Sequence, residues 1–121
     1  MKHLIGHLEG VKITTVAQLQ ACMDRVANEC RFSVVGRSFH QFEPFGATGV
    51  LVLSESHFSA HTYPEHGIVY VDVFCCSPSF NPAACAASIA ENFGARSFEY
   101  EVITRKSVPT DQDQCRQANP E

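Results

Sequence analysis

Apolar positions recur along this chain with two periods, and the switches between them divide it into strands and helices. Residues 3–12 read as a first strand whose firm apolar positions are Leu4 and Leu8. After a cap at Thr14 or Thr15, the residues Val16, Leu19, Met23, Val26 and Cys30 recur at spacings of three and four. That spacing predicts a helix to about Cys30 with one apolar stripe to lay on a sheet. Val34, Val35, Phe39 and Phe42 mark a second strand over 32–42, loosened by Gly36, and Glu43-Pro44-Phe45-Gly46 is a turn. The next strand, Gly49 to Glu55, is almost continuously apolar through Val50-Leu51-Val52-Leu53, as expected of a strand covered on both faces. A hydroxyl- and histidine-rich segment then intervenes before Pro64-Glu65-His66-Gly67 turns the chain into a fourth strand, 68–76, where Val69, Val71 and Val73 alternate with Ile68, Tyr70, Asp72 and Phe74.

The second helix is well signalled, with Asn81 as cap, Pro82 at its first position, Gly94 just past its end, and Cys85, Ile89 and Phe93 as its buried stripe. A last strand over 97–104 turns Phe98, Tyr100 and Val102 inward and Glu99 and Glu101 outward. Residues 105–121 form a polar tail expected to be disordered. The order β-α-β-β-β-α-β suits an α+β fold: a two-layer sandwich with both helices on one face of a mostly antiparallel sheet, in a single domain of residues 1–104. Because the third and fourth strands are apolar on both sides, the second face is expected to meet another protomer, making a homodimer with a shared cleft.

Composition narrows the function. At 121 residues, with 45% apolar and 18% charged residues, the chain can bury one modest core. A net charge of -4 and a thin scatter of Lys and Arg argue against nucleic acid, so a small-molecule substrate is the better expectation. No run approaches a membrane span and the first residues lack a signal-peptide core, so the expected location is the cytoplasm. Six cysteines at irregular spacings are then expected as free thiols.

The chemistry concentrates in Ser54-Glu55-Ser56-His57 and the following Phe58-Ser59-Ala60-His61-Thr62-Tyr63-Pro64-Glu65-His66. A metal site from His57, His61 and His66 with Cys75 or Cys76 has donors that zinc favours, but the spacing matches no recognised pattern and no C-x-x-C is present, so no metal is expected. A hydrolase with Ser56 as nucleophile and His61 as base lacks the strand-turn-helix elbow. A third use of serine is as the source of an electrophile. Its hydroxyl attacks the preceding carbonyl, the amide becomes an ester, and β-elimination severs the chain and leaves a pyruvoyl group. That route needs a strained serine peptide, a hydroxyl for the oxyanion and a base for the α-proton, all of which the segment can supply. On residue types alone the serines satisfying backbone groups, with polar histidines on a strand, remains an equal reading.

Ser54-Glu55-Ser56-His57, His61-Thr62-Tyr63-Pro64-Glu65 and Val71-Asp72-Val73-Phe74-Cys75-Cys76, with Gly6-His7-Leu8 and the run from Phe39 to Gly46, resemble the short prokaryotic class of pyruvoyl-dependent S-adenosylmethionine decarboxylases over residues 1 to 104. The resemblance implies cleavage between Glu55 and Ser56 into a β chain of residues 1–55 and an α chain of residues 56–121. Ser56 becomes the pyruvoyl cofactor that forms a Schiff base with the substrate. His61 is implied as the proton acceptor in processing, Thr48 as the processing hydroxyl where relatives carry serine, and Cys76 as the proton donor in catalysis, with Cys75 its less favoured neighbour. Phe42 and Tyr63 are implied as the aromatic pair around the adenine, Tyr63 standing where relatives usually have Trp, and Glu65 as acceptor of the ribose hydroxyls. The implied reaction converts S-adenosylmethionine to its decarboxylated form and CO2 for spermidine synthesis. Two alternatives stay open: decarboxylation of arginine or ornithine by the same electrophile, and a non-catalytic regulatory homologue.

Overall fold

The computed structural model describes residues 1–107; the tail assigned to 105–121 lies outside the described residues from 108 onward. Eight elements follow in order: β1 (Lys2–Glu9), α1 (Val16–Glu29), β2 (Val34–Gln41), β3 (Ala47–Leu53), β4 (Ser56–Tyr63), β5 (Ile68–Cys75), α2 (Pro82–Phe93) and β6 (Ser97–Thr104). The strands form one sheet in the order β2-β3-β4-β5-β1-β6. Every neighbouring pair is antiparallel. The two-layer α+β sandwich expected from the sequence is therefore the architecture observed.

The element order departs from expectation at one place. Residues 56–63, read as a segment between strands, are themselves the strand β4, so the observed order has four strands between the helices rather than three. The cause is a tight turn at Ser54 and Glu55 that folds β4 straight back onto β3, pairing Leu53 with Ser56 and Thr48 with His61. Phe58, Ala60 and Thr62 alternate as buried residues with Ser59, His61 and Tyr63. The period of two is present, but hydroxyls and imidazoles on the other face mask it.

Both helix caps are as the sequence signals them. The Thr15 side chain accepts from the Gln18 backbone in a capping box, and Asn81 caps α2 ahead of Pro82. Gly94 ends α2 at φ 65°, a conformation that costs glycine nothing.

The helices cover one face of the sheet. Leu19, Met23 and Val26 of α1 and Cys85 and Ile89 of α2 bury against Leu4, Leu8, Leu51, Phe58, Val69 and Val73, all fully inaccessible. Gly49 is the tightest point of this layer. A Cβ there would run into the Phe39 ring and sit 3.1 Å from Met23 Sδ, so β2 folds its ring over a position that tolerates no side chain. Gly49→Ala should cost about 1–3 kcal/mol of stability by overpacking, read as a lower urea midpoint; an unchanged midpoint would show that the ring does not lie there.

The opposite, open face carries Ile5, Val52, Tyr63, Tyr70 and Ile103, each at least 38% exposed, around a polar centre of His3, His57, Ser59 and Asp72. Among the described residues no helix is long and apolar enough to cross a membrane. The five described cysteines, Cys22, Cys30, Cys75, Cys76 and Cys85, are free.

Candidate active site

Two clusters lie at opposite ends of the β3–β4 hairpin. At the turn end, Glu55 has φ 60°, a left-handed conformation that costs a non-glycine residue about 1 kcal/mol or more, directly before the Glu55–Ser56 peptide. Ser56 Oγ donates to the Ser54 carbonyl at 3.4 Å and accepts from the Cys76 backbone N–H at 3.4 Å. Cys76 Sγ lies 3.5 Å from the Glu55 carbonyl oxygen, toward which it donates. The exit of β5 thus lays Cys76 against the peptide that precedes Ser56.

Cys75 and Cys76 are separated by the pleat. Cys75 ends the buried row Val69, Val71, Val73 on the helix side. Burial pushes its thiol up, against hydrogen bonds from the Ser77 backbone and the Ser56 side chain. The thiol that reaches the Glu55 carbonyl belongs to Cys76, in the loop.

At the other end, Thr48 Oγ1 and His61 Nδ1 are 3.0 Å apart across the paired strands. Phe42, Phe45, Gly46, Thr48, His61, Thr62, Tyr63 and Glu65 line a cavity of about 360 Å3. Phe42 and Tyr63 are each 47% exposed. Both rings are propped edge-on, Phe42 by His40 at 4.7 Å between centroids and Tyr63 by Tyr70 at 5.5 Å. A larger cavity, about 660 Å3 between the end of α1 and the start of α2, contains none of the eight residues singled out from the sequence.

The structure therefore gathers those eight residues into two groups: Glu55, Ser56 and Cys76, and Phe42, Thr48, His61, Tyr63 and Glu65. His61 follows Ser56 by five positions on one strand, so at a rise of about 3.3 Å per residue the two lie roughly 16 Å apart. Within one chain His61 does not reach Ser56.

A third cluster was not found from the sequence. Asp72 Oδ2 accepts from His3 Nε2 and His57 Nε2, each at 2.7 Å, and Ser59 Oγ donates to Oδ1. Burial works against ionisation of Asp72, but hydrogen bonds from Ser59, His3 and His57 outweigh it and hold the carboxyl below its usual range. The available signal was a lone carboxylate inside the otherwise apolar strand 68–75. His57 is committed here and Cys75 faces the other side of the sheet, which dissolves the metal set of His57, His61, His66 and a cysteine weighed from the sequence.

Residues 2–106 match the family model for S-adenosylmethionine decarboxylase. The chain belongs to this family. A protein of Symbiobacterium thermophilum named S-adenosylmethionine decarboxylase proenzyme is 43% identical over 96 residues, which is 79% of this chain and 73% of that protein. The protein of the same name from Archaeoglobus fulgidus is 32% identical over 107 residues, covering 86% of this chain and 96% of its own. Among solved structures, the crystal structure of the adenosylmethionine decarboxylase of Aquifex aeolicus superposes with a TM-score of 0.80 at 28% identity, covering 88% of this chain and 91% of that one. The family match spans both ends of the hairpin, so the strained turn and the aromatic cavity fall within the region shared with the decarboxylases.

Proposed function

We propose that this chain is a self-processing, pyruvoyl-dependent decarboxylase of S-adenosylmethionine, whose product serves spermidine synthesis in the cytoplasm. The observation that carries the reading is the left-handed Glu55 immediately before Ser56, with the Cys76 thiol on its carbonyl oxygen. Strain at Glu55 raises the ground state of the peptide to be broken, and the donor stabilises charge that develops on the carbonyl oxygen. Ser56 Oγ attacks the Glu55 carbonyl carbon, the C–N bond breaks, and the resulting ester frees the Ser56 amine. Loss of the Ser56 α-proton to a base expels the Glu55 carboxylate. Addition of water and loss of ammonia complete a pyruvoyl group at the start of the 56–121 chain. When present, that group supplies the electron sink into which an amine-bearing substrate releases CO2.

The remaining residues act on the substrate and on protons. The Phe42 and Tyr63 rings, presented on edge-on supports, are set to stack on an adenine, each such contact adding about 0.5–1.5 kcal/mol beyond area burial. Glu65 on the same cavity wall offers carboxylate oxygens to ribose hydroxyls. His61, oriented by Thr48, is the base for the α-proton. Cys76 is the acid that protonates the substrate carbon after CO2 departs.

Because His61 and the cavity lie about 16 Å from Ser56 along the strand, we assign the complete site to a homodimer packed through the exposed apolar rim of the open face. A twofold axis across that face places the His61 end of one protomer against the Ser56 end of its partner, so each site takes residues from both chains.

Intact-mass measurement with a ketone-trapping reagent tests the function. Two fragments dividing after Glu55, the larger lighter than its hydrolysis product by one ammonia and reactive to the trap, support it. CO2 release from S-adenosylmethionine, set against arginine and ornithine, then identifies the substrate. A single intact, folded chain would favour a regulatory homologue instead. Cys76→Ser should leave the chain cleaved but lower CO2 release by about 100-fold or more, since a hydroxyl is a far poorer acid than a thiol. Misplaced protonation should also make the variant inactivate faster per turnover, visible as amine transfer to the α chain by mass.

A further inference from the structure

The polar centre of the open face has a geometry that the decarboxylation chemistry does not use. β5 lies between β4 and β1, and His57 and His3 both pair with Phe74 from opposite sides. At ordinary strand spacing their backbones are about 10 Å apart. Both rings nevertheless lean inward and bring Nε2 to the same oxygen, 2.7 Å from Asp72 Oδ2 in each case. All three donor atoms lie within 4.8 Å of one another. The Ser59 hydroxyl holds the other carboxylate oxygen and so orients Oδ2 toward the two imidazoles. The side chains are partly buried, with His3, His57 and Asp72 at 16%, 39% and 25% exposure.

We propose that His3, His57 and Asp72 form a binding site for one divalent transition-metal cation of the zinc, cobalt and nickel class. The class follows from the donors, since two imidazole nitrogens and one carboxylate suit borderline metals and leave magnesium and calcium, which want all-oxygen shells, poorly served. The rigidity of three hydrogen-bonded strands supplies the preorganisation. An ion held there ties β1, β4 and β5 together one residue from Ser56, stiffening the strand ends that carry Ser56 and Cys76.

One neighbour opposes binding and gives the proposal a signed test. Arg105 Nη1 lies 3.2 Å from His3 Nδ1. A guanidinium only donates, so Nδ1 accepts and the proton of His3 sits on Nε2. A metal needs the Nε2 lone pair, which moves that proton to Nδ1 and expels Arg105 from the contact. Arg105 also stacks over Phe74, its Cζ 5.6 Å from the ring centroid, so it stands as a cationic plug beside the site.

The test is titration of chelator-stripped, full-length protein with Co2+ and then Zn2+, followed by visible absorption and thermal melting. The expected result is one Co2+ per chain with ligand-field bands in the visible, no thiolate-to-cobalt charge transfer, and displacement by Zn2+. His3→Ala and the shape-preserving His3→Gln should weaken binding by about tenfold or more, and Arg105→Ala should strengthen it severalfold. Zn2+ should raise the melting temperature of the wild type and not of the His3 variants. Thiolate charge transfer, unchanged affinity in a folded His3 variant, weaker binding in Arg105→Ala, or no binding below about 1 mM would each overturn the site. Processing and decarboxylation are read separately, by mass and CO2 release, so failure here leaves those results intact.

Discussion

Ser56→Ala will remain a single chain of 121 residues, with no ketone to trap and CO2 release reduced on the order of ten-thousandfold or more. Alanine has neither the hydroxyl that attacks Glu55 nor the leaving group for β-elimination, so both the cleavage and the electrophile disappear together. The loss should be chemical rather than structural, because the Ser56 side chain at the end of β4 makes two long hydrogen bonds, both 3.4 Å, and a weak contact with the Cys75 thiol. Far-UV circular dichroism and the urea midpoint should therefore match the wild type.

The same variant tests the shared site. His61→Ala alone should also stay uncleaved or process slowly, for lack of a base. When Ser56→Ala and His61→Ala chains are co-expressed, a mixed dimer holds one site in which both defects coincide and one in which Ser56 of one chain meets His61 of the other, both intact. That site should cleave and release CO2. If His61 served Ser56 within its own chain, every site would carry one defect and no cleavage would appear. The strand distance of about 16 Å between the two residues is what makes recovery the expected result.

Phe58→Ala should be the most damaging change to the fold, lowering stability by about 3–5 kcal/mol. Among the described residues Phe58 is the largest fully buried side chain, and it lies in the helix-covered layer. Truncation leaves a cavity that β4, held on both sides by β3 and β5, cannot close. Since small domains have only about 5–15 kcal/mol in total, part of the population should unfold at physiological temperature. Phe58→Leu should cost about 1.5 kcal/mol and keep the fold. Because Phe58 is two residues from Ser56, the Leu variant should also cleave more slowly than wild type, as a looser β4 holds the Glu55 turn less firmly. Equilibrium urea unfolding and a time course of fragment appearance give the two numbers; wild-type stability in Phe58→Ala would show that the ring is not core.

Much of this was legible in the chain because it depends on local pattern. The stripe Val16, Leu19, Met23, Val26 and the Asn81-Pro82 start of α2 with Gly94 past its end specify helices through propensity and capping, which act over a few residues. β4 escaped because its exposed face carries Ser59, His61 and Tyr63 where a plain strand would carry Thr or Lys, and such a mixed face weakens the amphipathic signal. The Asp72 cluster escaped because His3 and Asp72 are 69 residues apart, and only the pairing of β1 with β5 joins them.

The sequence by itself determined the two-layer class and the helix limits, since those depend on periodicity and short-range capping, while the residues of a pyruvoyl decarboxylase were implied by the resemblance of its motifs to that family. Tertiary structure alone decided how those residues are distributed. The tight turn at Ser54 and Glu55 puts φ 60° next to Ser56, and the return of β4 along β3 carries His61 to the far end of the hairpin, beside Thr48. Residues five apart in a motif look like neighbours on paper. A strand is extended, so it sets them toward opposite ends of β4, and that separation is the reason for the two-chain site proposed above.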